Sequence, residues 1–271
     1  MIRFLILAGY FELTMYLQLS GKLNQYINLH YSYLAYISMF LSFVLALVQL
    51  IIWVKQMKIH SHLSGFWAKV ASIFLLCIPL FVGLFFPTVT LDSQTVSAKG
   101  YHFPVAAGSS KEIQQDEGTT TQYLKPDTSS YFTKSAYESE MKQAAKKYVD
   151  KKVIQVTTEN YMEVMEVIYD YPDQFAGKTI ELTGFVYNDP SNKNSQFLFR
   201  FGIIHCIADS GVYGLLTTGT PQHFENNTWI HAKGTLSIEY HKQLKQSLPV
   251  LHISDCQTIT KPANPYVYRV F

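Results

Sequence analysis

The feature that most constrains this sequence is a long apolar run without a charge, YLAYISMFLSFVLALVQLIIWV, at positions 33–54. A run of about 20 apolar residues is the length of helix that crosses the hydrocarbon core of a bilayer. A second uncharged run, VASIFLLCIPLFVGLFFPTV, occupies positions 70–89. Its internal Pro79 is compatible with a membrane helix, because neighbouring helices and local adjustments can satisfy the freed carbonyl group. Both runs are therefore predicted to be transmembrane helices.

The opening stretch, residues 2–19, is also apolar but contains the acid Glu12. Such a stretch could be a cleaved signal, an interfacial helix or a true span. Its basic region is the single Arg3, and LSGK at 19–22 is a poor cleavage site, so we predict a third span that packs against the other two. A carboxylate within a membrane is costly and is expected to face protein or water. Glu12 is thus a candidate contact with a partner helix; the alternative is a glutamate that snorkels to the interface or is neutral.

Basic residues predict how the chain is oriented in the lipid bilayer. Lys55, Lys58 and Lys69 cluster around the segment between the second and third spans, and the positive-inside rule assigns such a loop to the cytoplasm. The N-terminus is then cytoplasmic, and everything after Pro87 is extracytoplasmic. The chain beyond residue 90 is slightly acidic, whereas a nucleic-acid-binding domain needs a basic patch, so nucleic acid is not an expected partner.

Beyond the spans, the composition changes to that of a soluble protein. Residues 91–132, rich in Ser, Thr, Gly and Asp, predict a flexible linker, and residues 133–176 predict a helical lead-in to a following domain. The lead-in is expected to contain, in chain order, a helix at 133–150, a short strand at 153–156, and a helix capped by Thr158 that ends at Tyr171.

Residues 177–271 alternate apolar and polar residues in a way typical of strands. Five strands without a long helix between them favour a small closed barrel of the oligonucleotide/oligosaccharide-binding (OB) type, although a five-stranded sandwich is also compatible. The predicted fold class is an α+β membrane protein with three N-terminal transmembrane helices and an extracytoplasmic domain containing a five-stranded OB-like β-barrel. The predicted strands are 178–188, 196–209, 212–217, 229–241 and 249–259.

Short motifs along the whole chain, each weak alone, are more informative in their order. They are SGKL at 20–23, FAGK at 175–178, GFVY at 184–187, CIAD at 206–209 and NPYVY at 264–268. This order resembles the YcgQ-like proteins, a family proposed to supply subunits of two-component permeases. The resemblance implies a larger polytopic permease subunit as partner, of a class that includes organoarsenical exporters.

His205, Cys206 and Asp209 form the densest cluster of potential metal ligands in the sequence. Thiolate and imidazole suit zinc or copper. Because successive strand residues point to opposite faces, His205 and Cys206 converge only at a bulge or a strand end. The alternative is a buried cysteine, a surface histidine and an aspartate in a turn, and a disulfide between Cys206 and Cys256 is also left open. The family pattern has two adjacent cysteines where this chain has His205-Cys206, so thiol-pair chemistry is not expected, while a soft-metal ligand is retained.

No Gly-x-Ser-x-Gly elbow, His-Glu-x-x-His motif or phosphate-binding glycine loop occurs in the sequence. The first hypothesis is therefore a non-enzymatic accessory subunit of a two-component membrane permease, with an outer domain that binds solute or gates the larger partner. It requires no cofactor. The alternative is an envelope metal-binding sensor or metal chaperone that holds zinc or another soft metal.

Overall fold

The chain forms two compact units, Met1–Thr90 and Leu91–Phe271. The structure is a computed structural model that describes residues 1–57, 65–100, 134–188, 195–241 and 246–270. Lys58, which contributes to the predicted orientation, and residues 101–132 of the predicted linker lie outside the described residues.

Three apolar helices dominate the first unit: α1 (Ile2–Leu19), α2 (Ser32–Val54) and α3 (Phe66–Phe85). Each is long and apolar enough to cross a membrane, by length and composition. The prediction of three N-terminal apolar helices is thus confirmed. Two short 3-10 turns, Lys22–Gln25 and Leu29–Tyr31, lie between α1 and α2.

Small side chains and one hydrogen bond hold α1 against α3. A Cβ atom added at Gly83 would lie 2.9 Å from a methyl group of Leu13, so a glycine at this position lets the two helices approach closely. The hydroxyl of Tyr10 donates to the backbone carbonyl of Leu76 at 2.9 Å. The predicted packing of the first apolar stretch against its neighbours is therefore present in the structure.

The second unit combines helices with a sheet. The helices of its described part are α4 (Ser93–Lys99), α5 (Lys134–Val149), α6 (Tyr161–Asp170) and α7 (Pro172–Phe175). The strands are β1 (Val153–Gln155), β2 (Thr179–Asn188), β3 (Gln196–Ile203), β4 (Gly211–Thr218), β5 (Trp229–His241), β6 (Gln246–Thr258) and β7 (Val267–Tyr268). Helix α5, strand β1 and helix α6 lie in the predicted lead-in.

Residues 91–100, where the predicted flexible linker begins, form α4 and its caps. The Asp92 carboxylate accepts two backbone N–H groups of the first turn, at 3.0 and 3.3 Å, as an N-cap residue does. The backbone N–H of Leu91 donates to the Tyr266 hydroxyl at 2.9 Å. This segment is therefore tied to the sheet unit, and Asp92 caps its helix.

The strands pair into a mixed sheet in the order β1-β2-β5-β6-β4-β3-β7, with an additional pairing of β2 with β3. The pairs β1–β2, β4–β6 and β3–β7 are parallel, and the other pairs are antiparallel. A register shift between Lys233 and Gly234 marks a β-bulge where β5 pairs with β6.

The five predicted strands correspond to β2–β6, but the sheet differs from the prediction. The described sheet has seven strands, because the short strands β1 and β7 join its two ends. The predicted strand at 196–209 ends at Ile203, since the chain then enters a short 3-10 turn, Ile207–Asp209. The pairings of β2–β6 form a cycle, but these strands are not arranged evenly round one axis, so the OB-like barrel is not confirmed and stays a prediction.

Helix α6 covers one face of the sheet and supplies much of the core. The hydroxyl of Tyr169 donates to the carbonyl of Gly214, and that of Tyr161 donates to the carbonyl of Tyr213 at 3.4 Å. A Cβ atom added at Gly214 would lie 1.9 Å from the carbonyl oxygen of Leu198 on β3. Glycine is therefore required where β3 and β4 approach each other, directly beneath this helix.

Candidate functional site

The three predicted metal ligands lie in the turn between β3 and β4, where Asp209 organises the backbone. One oxygen of its carboxylate accepts the His205 backbone N–H at 2.9 Å, and the other accepts the Cys206 backbone N–H at 3.1 Å. The Cys206 side chain in turn accepts the Asp209 backbone N–H, completing a capping box. His205 Nδ1 lies 2.8 Å from the carboxylate. The turn thus uses Asp209 as a cap, which accounts for the clustering of these residue types.

Among the described residues, no other side chains join this turn to form a metal-binding group. Within the described ranges, no group of three or more His, Cys, Asp or Glu side chains is placed to hold a metal ion. His231 binds Glu181 at 3.0 Å, and His252 binds Glu239 at 2.6 Å, both on other strands. The metal-binding alternative therefore finds no support in the structure.

The three cysteines are free, so the disulfide left open by the sequence is not formed. Cys206 belongs to the capped turn, whereas Cys256 lies opposite Ala232 where β6 pairs with β5. The pKa of the Cys256 thiol is raised, mainly by partial burial and to a smaller extent by the charge of Asp255. A raised pKa keeps this thiol protonated near neutral pH and makes it a poor nucleophile.

Glu12 lies on an exposed face of α1. Its chain neighbour Phe11 packs on Phe43 of α2, with ring centroids 5.3 Å apart, and Leu13 lies against α3 at Gly83. The face that contains Glu12 is therefore the face that α2 and α3 leave uncovered. Among the described residues, no hydrogen bond or ion pair of the Glu12 side chain is found.

A buried arginine that sequence reasoning missed connects the sheet to the C-terminal segment. Arg200 on β3 is 3% exposed. Its guanidinium donates to the carbonyls of Asn264, Pro265 and Tyr266 at 3.0–3.3 Å and to the Thr158 hydroxyl at 3.0 Å. Burial lowers the pKa of this guanidinium, but an arginine remains charged at any physiological pH. The predicted capping role of Thr158 is wrong: Asn160 precedes α6, and the Thr158 hydroxyl accepts from Arg200 instead.

A cleft of about 260 Å³ lies among α5, α6 and the residues around β7. Glu166 forms an ion pair with Arg269 at 3.0 Å, and both side chains are largely buried. Burial raises the pKa of Glu166 to about 7, while the charge of Arg269 acts in the opposite direction. This carboxyl group therefore titrates near neutral pH. Four glutamates line the cleft, Glu140, Glu159, Glu163 and Glu166.

At the other end of this cleft, Glu163 of α6 contacts two residues of α5. Glu163 accepts the Tyr148 hydroxyl at 2.6 Å and forms an ion pair with Lys147 at 2.7 Å. Burial, together with this carboxylate, raises the pKa of Tyr148. A concave surface with carboxylates in excess suits a cationic group or a hydrogen-bond donor. No short motif marks these residues, because the four glutamates are spread over α5, the segment before α6, and α6 itself.

Comparison with known proteins covers both units. Residues 2–102 match the DUF1980 N-terminal domain, and residues 131–269 match the DUF1980 C-terminal domain. The chain is 68% identical, over its full length and that of the relative, to a Streptococcus mutans protein named as a proposed subunit of a two-component membrane permease complex. It is 40% identical, again over both full lengths, to the UPF0703 protein YcgQ of Bacillus subtilis. The resemblance read from the ordered motifs is thereby confirmed, and the chain belongs to the DUF1980 family of membrane proteins.

Proposed function

We propose that this protein is a non-enzymatic accessory subunit of a two-component membrane permease. The observation that carries the proposal is the 68% identity, along the whole of both chains, to the Streptococcus mutans protein that is named as such a subunit. Three helices of spanning length fit a subunit whose first unit is embedded in the bilayer. A first unit of this size offers too few helices for a transport pathway built from repeats, which is consistent with an accessory role.

The partner is proposed to be a larger polytopic permease subunit that contacts the Glu12 face of α1. Two structural features support this contact. The carboxylate is exposed on a predominantly apolar helix in which Glu12 is the only acid, and a charged group facing lipid is costly unless protein or water satisfies it. A polar side chain or a cation on a partner helix would remove that cost.

The second unit is proposed to be extracytoplasmic and the N-terminus cytoplasmic. Lys55 directly follows α2, and Lys69 lies in the first turn of α3, so both cations mark the same end of the helical unit. The positive-inside rule assigns this end to the cytoplasm. Reporter fusions at the C-terminus test the orientation: alkaline phosphatase is expected to be active there and a cytoplasm-dependent fluorescent protein dark, and the reverse pattern would refute it.

The extracytoplasmic unit is proposed to bind solute or to gate the larger subunit. The cleft that contains the Glu166–Arg269 pair supports this role, because it is a concave surface with a buried ion pair and an excess of carboxylates. The metal-sensor alternative lacks a matching geometry among the described residues.

The membrane contact is tested by replacing Glu12 with a photo-crosslinking amino acid in cells that express the full chain. We expect irradiation to capture one polytopic membrane protein, identified by mass spectrometry, and deletion of that protein to abolish the crosslink. The same amino acid at Phe74, which is 65% exposed on α3, serves as the matched control and should capture it weakly or not at all. A chain that yields no protein crosslink from the Glu12 face, and that purifies alone in mild detergent, would refute the proposal.

A further inference from the structure

A cavity of about 630 Å³ opens between α1, α2 and α3 in the first unit. Its volume falls in the range of about 300–1,000 Å³ that is common for small-molecule sites. Arg3 and Tyr10 of α1 both line the cavity. They are seven residues apart, which in an α-helix corresponds to about 10 Å along the axis. The same spacing separates Lys69 from Leu76 on α3, which also line the cavity. The cavity therefore extends about 10 Å into the unit from the end where α1 and α3 begin.

The charge in the cavity is concentrated at its outer end. Arg3 and Lys69 line that end, and no acid is among the lining residues. Within the described residues, neither cation takes part in an ion pair. Two cations without a compensating carboxylate at the mouth of a cavity attract an anion.

Apart from Gln49, Ser72 and the Tyr10 hydroxyl, the lining behind the mouth is apolar. It includes Ile6, which is 8% exposed, together with Ile52 and Ile73. At the inner end the Tyr10 hydroxyl already donates to the Leu76 carbonyl at 2.9 Å, and Gln49 is the polar side chain there. A ligand that fills the cavity must therefore be amphiphilic, with an anionic group at the mouth and hydrocarbon further in.

We propose that this cavity binds an anionic phospholipid, with its phosphate between Arg3 and Lys69 and the upper part of its acyl chains against the isoleucines. Basic pockets between membrane helices are suited to acidic lipid headgroups. A zwitterionic lipid fits less well, because its ammonium group finds no carboxylate in the lining. A soluble phosphate ester shares the anionic chemistry but leaves the apolar wall uncovered. The inference needs only the membrane location of the three helices and does not depend on the permease role.

The test uses the full chain purified in an uncharged detergent, with bound lipids counted by native mass spectrometry. The probes are phosphatidylglycerol, phosphatidylcholine with the same acyl chains, and soluble glycerol phosphate. A lysine or arginine near a phosphate at a membrane surface contributes about fivefold in affinity, so the two cations predict a preference of about 25-fold for phosphatidylglycerol over phosphatidylcholine. Glycerol phosphate is expected to bind far more weakly than phosphatidylglycerol.

Charge-removing variants locate the site. Arg3→Gln and Lys69→Gln are each expected to lower the preference about fivefold, and the double variant to abolish it. Both side chains are exposed, so these changes should leave folding intact. Lys22→Gln is the matched control: this cation lies beyond the other end of α1, 3.1 Å from the Tyr16 hydroxyl, and should retain the preference. A variant of a different kind, Ser72→Leu, fills part of the cavity without changing its charge and should weaken the binding of phosphatidylglycerol.

Four outcomes would overturn the proposal. The first is equal binding of the two phospholipids by the native chain. The second is an effect of Lys22→Gln as large as that of Arg3→Gln, since it would indicate a diffuse electrostatic effect. The third is glycerol phosphate binding as tightly as phosphatidylglycerol, which would indicate a site for a soluble ester. The fourth is a photo-crosslinker at Ser72 that captures a helix of another membrane protein in place of lipid.

Discussion

Replacing Arg200 with methionine tests how the C-terminal segment is held on the sheet. Methionine keeps the apolar contacts of the side chain but removes the donor that three consecutive carbonyls and Thr158 share. A hydrogen bond to a charged group contributes about 1.5–3 kcal/mol, and part of that gain is offset by the cost of burying the guanidinium. A buried acceptor left without a donor costs about 1–3 kcal/mol, and several acceptors lose their donor here, so we expect a loss of about 3–5 kcal/mol in the free energy of unfolding.

The assay is urea unfolding of the full chain in detergent, combined with hydrogen exchange followed by mass spectrometry. Exchange should accelerate first at residues 264–270 and at Leu91, whose N–H donates to the Tyr266 hydroxyl. Arg200→Lys should be intermediate, because an ammonium cannot span the same acceptors. Lys233→Met, at an exposed position of β5, is the control and should change the free energy of unfolding little.

An Arg200→Met variant that loses less than about 1 kcal/mol and exchanges normally at residues 264–270 would refute this reasoning. It would mean that the strand β7 and the packing of Tyr266 hold the segment without the guanidinium. A uniform loss of protection from hydrogen exchange over the whole second unit, with no earlier opening at 264–270, would also contradict the reasoning, because it would show that Arg200 does not stabilise this segment locally.

Three further predictions concern the second unit. Glu166→Gln should flatten the pH dependence of stability: the native carboxyl holds its proton up to a pKa of about 7 and the unfolded one releases it near 4.5, so urea titrations of the native chain should lose about 3 kcal/mol as pH rises from about 5 to 8. Asp209→Ala should cost about 1 kcal/mol through loss of the turn cap, measured by thermal unfolding, whereas His205→Ala, at an exposed ring, should cost much less. Gly214→Ala should destabilise by about 3 kcal/mol or more, or prevent folding, because its Cβ meets a carbonyl at 1.9 Å; circular dichroism checks it against Gly65→Ala, where the nearest atom is 3.8 Å away.

Much of the architecture could be predicted from periodicity and length. The apolar runs at 33–54 and 70–89 leave few alternatives to membrane helices, and the alternation in β2 and β5 predicts the bounds of both strands within a residue or two. The turn between β3 and β4 was harder to predict. Its residues His205 to Asp209 continue an apolar run, and the capping geometry that ends the strand depends on hydrogen bonds that no periodicity encodes.

The least predictable features join residues that are distant in the sequence. A lone arginine in the run QFLFRFGII is a visible signal of a buried charge, but its acceptors lie 64–66 residues further along the chain. Glu166 has no such signal, because a glutamate within an apolar helix reads as a solvated position until tertiary packing buries it. The NPYVY motif is visible in the sequence, yet the role of its first three carbonyls as acceptors for Arg200 follows only from the fold.

The hydrogen bond between Leu91 and Tyr266 joins residues 175 positions apart. Leu91 is the first residue of the second unit, so the start of this unit is held by the segment that follows β6. Contacts of such wide sequence separation form late in folding, because closing a long loop of chain costs entropy before the contact is gained. The start of the second unit is therefore ordered only after the sheet and the segment around Tyr266 have folded.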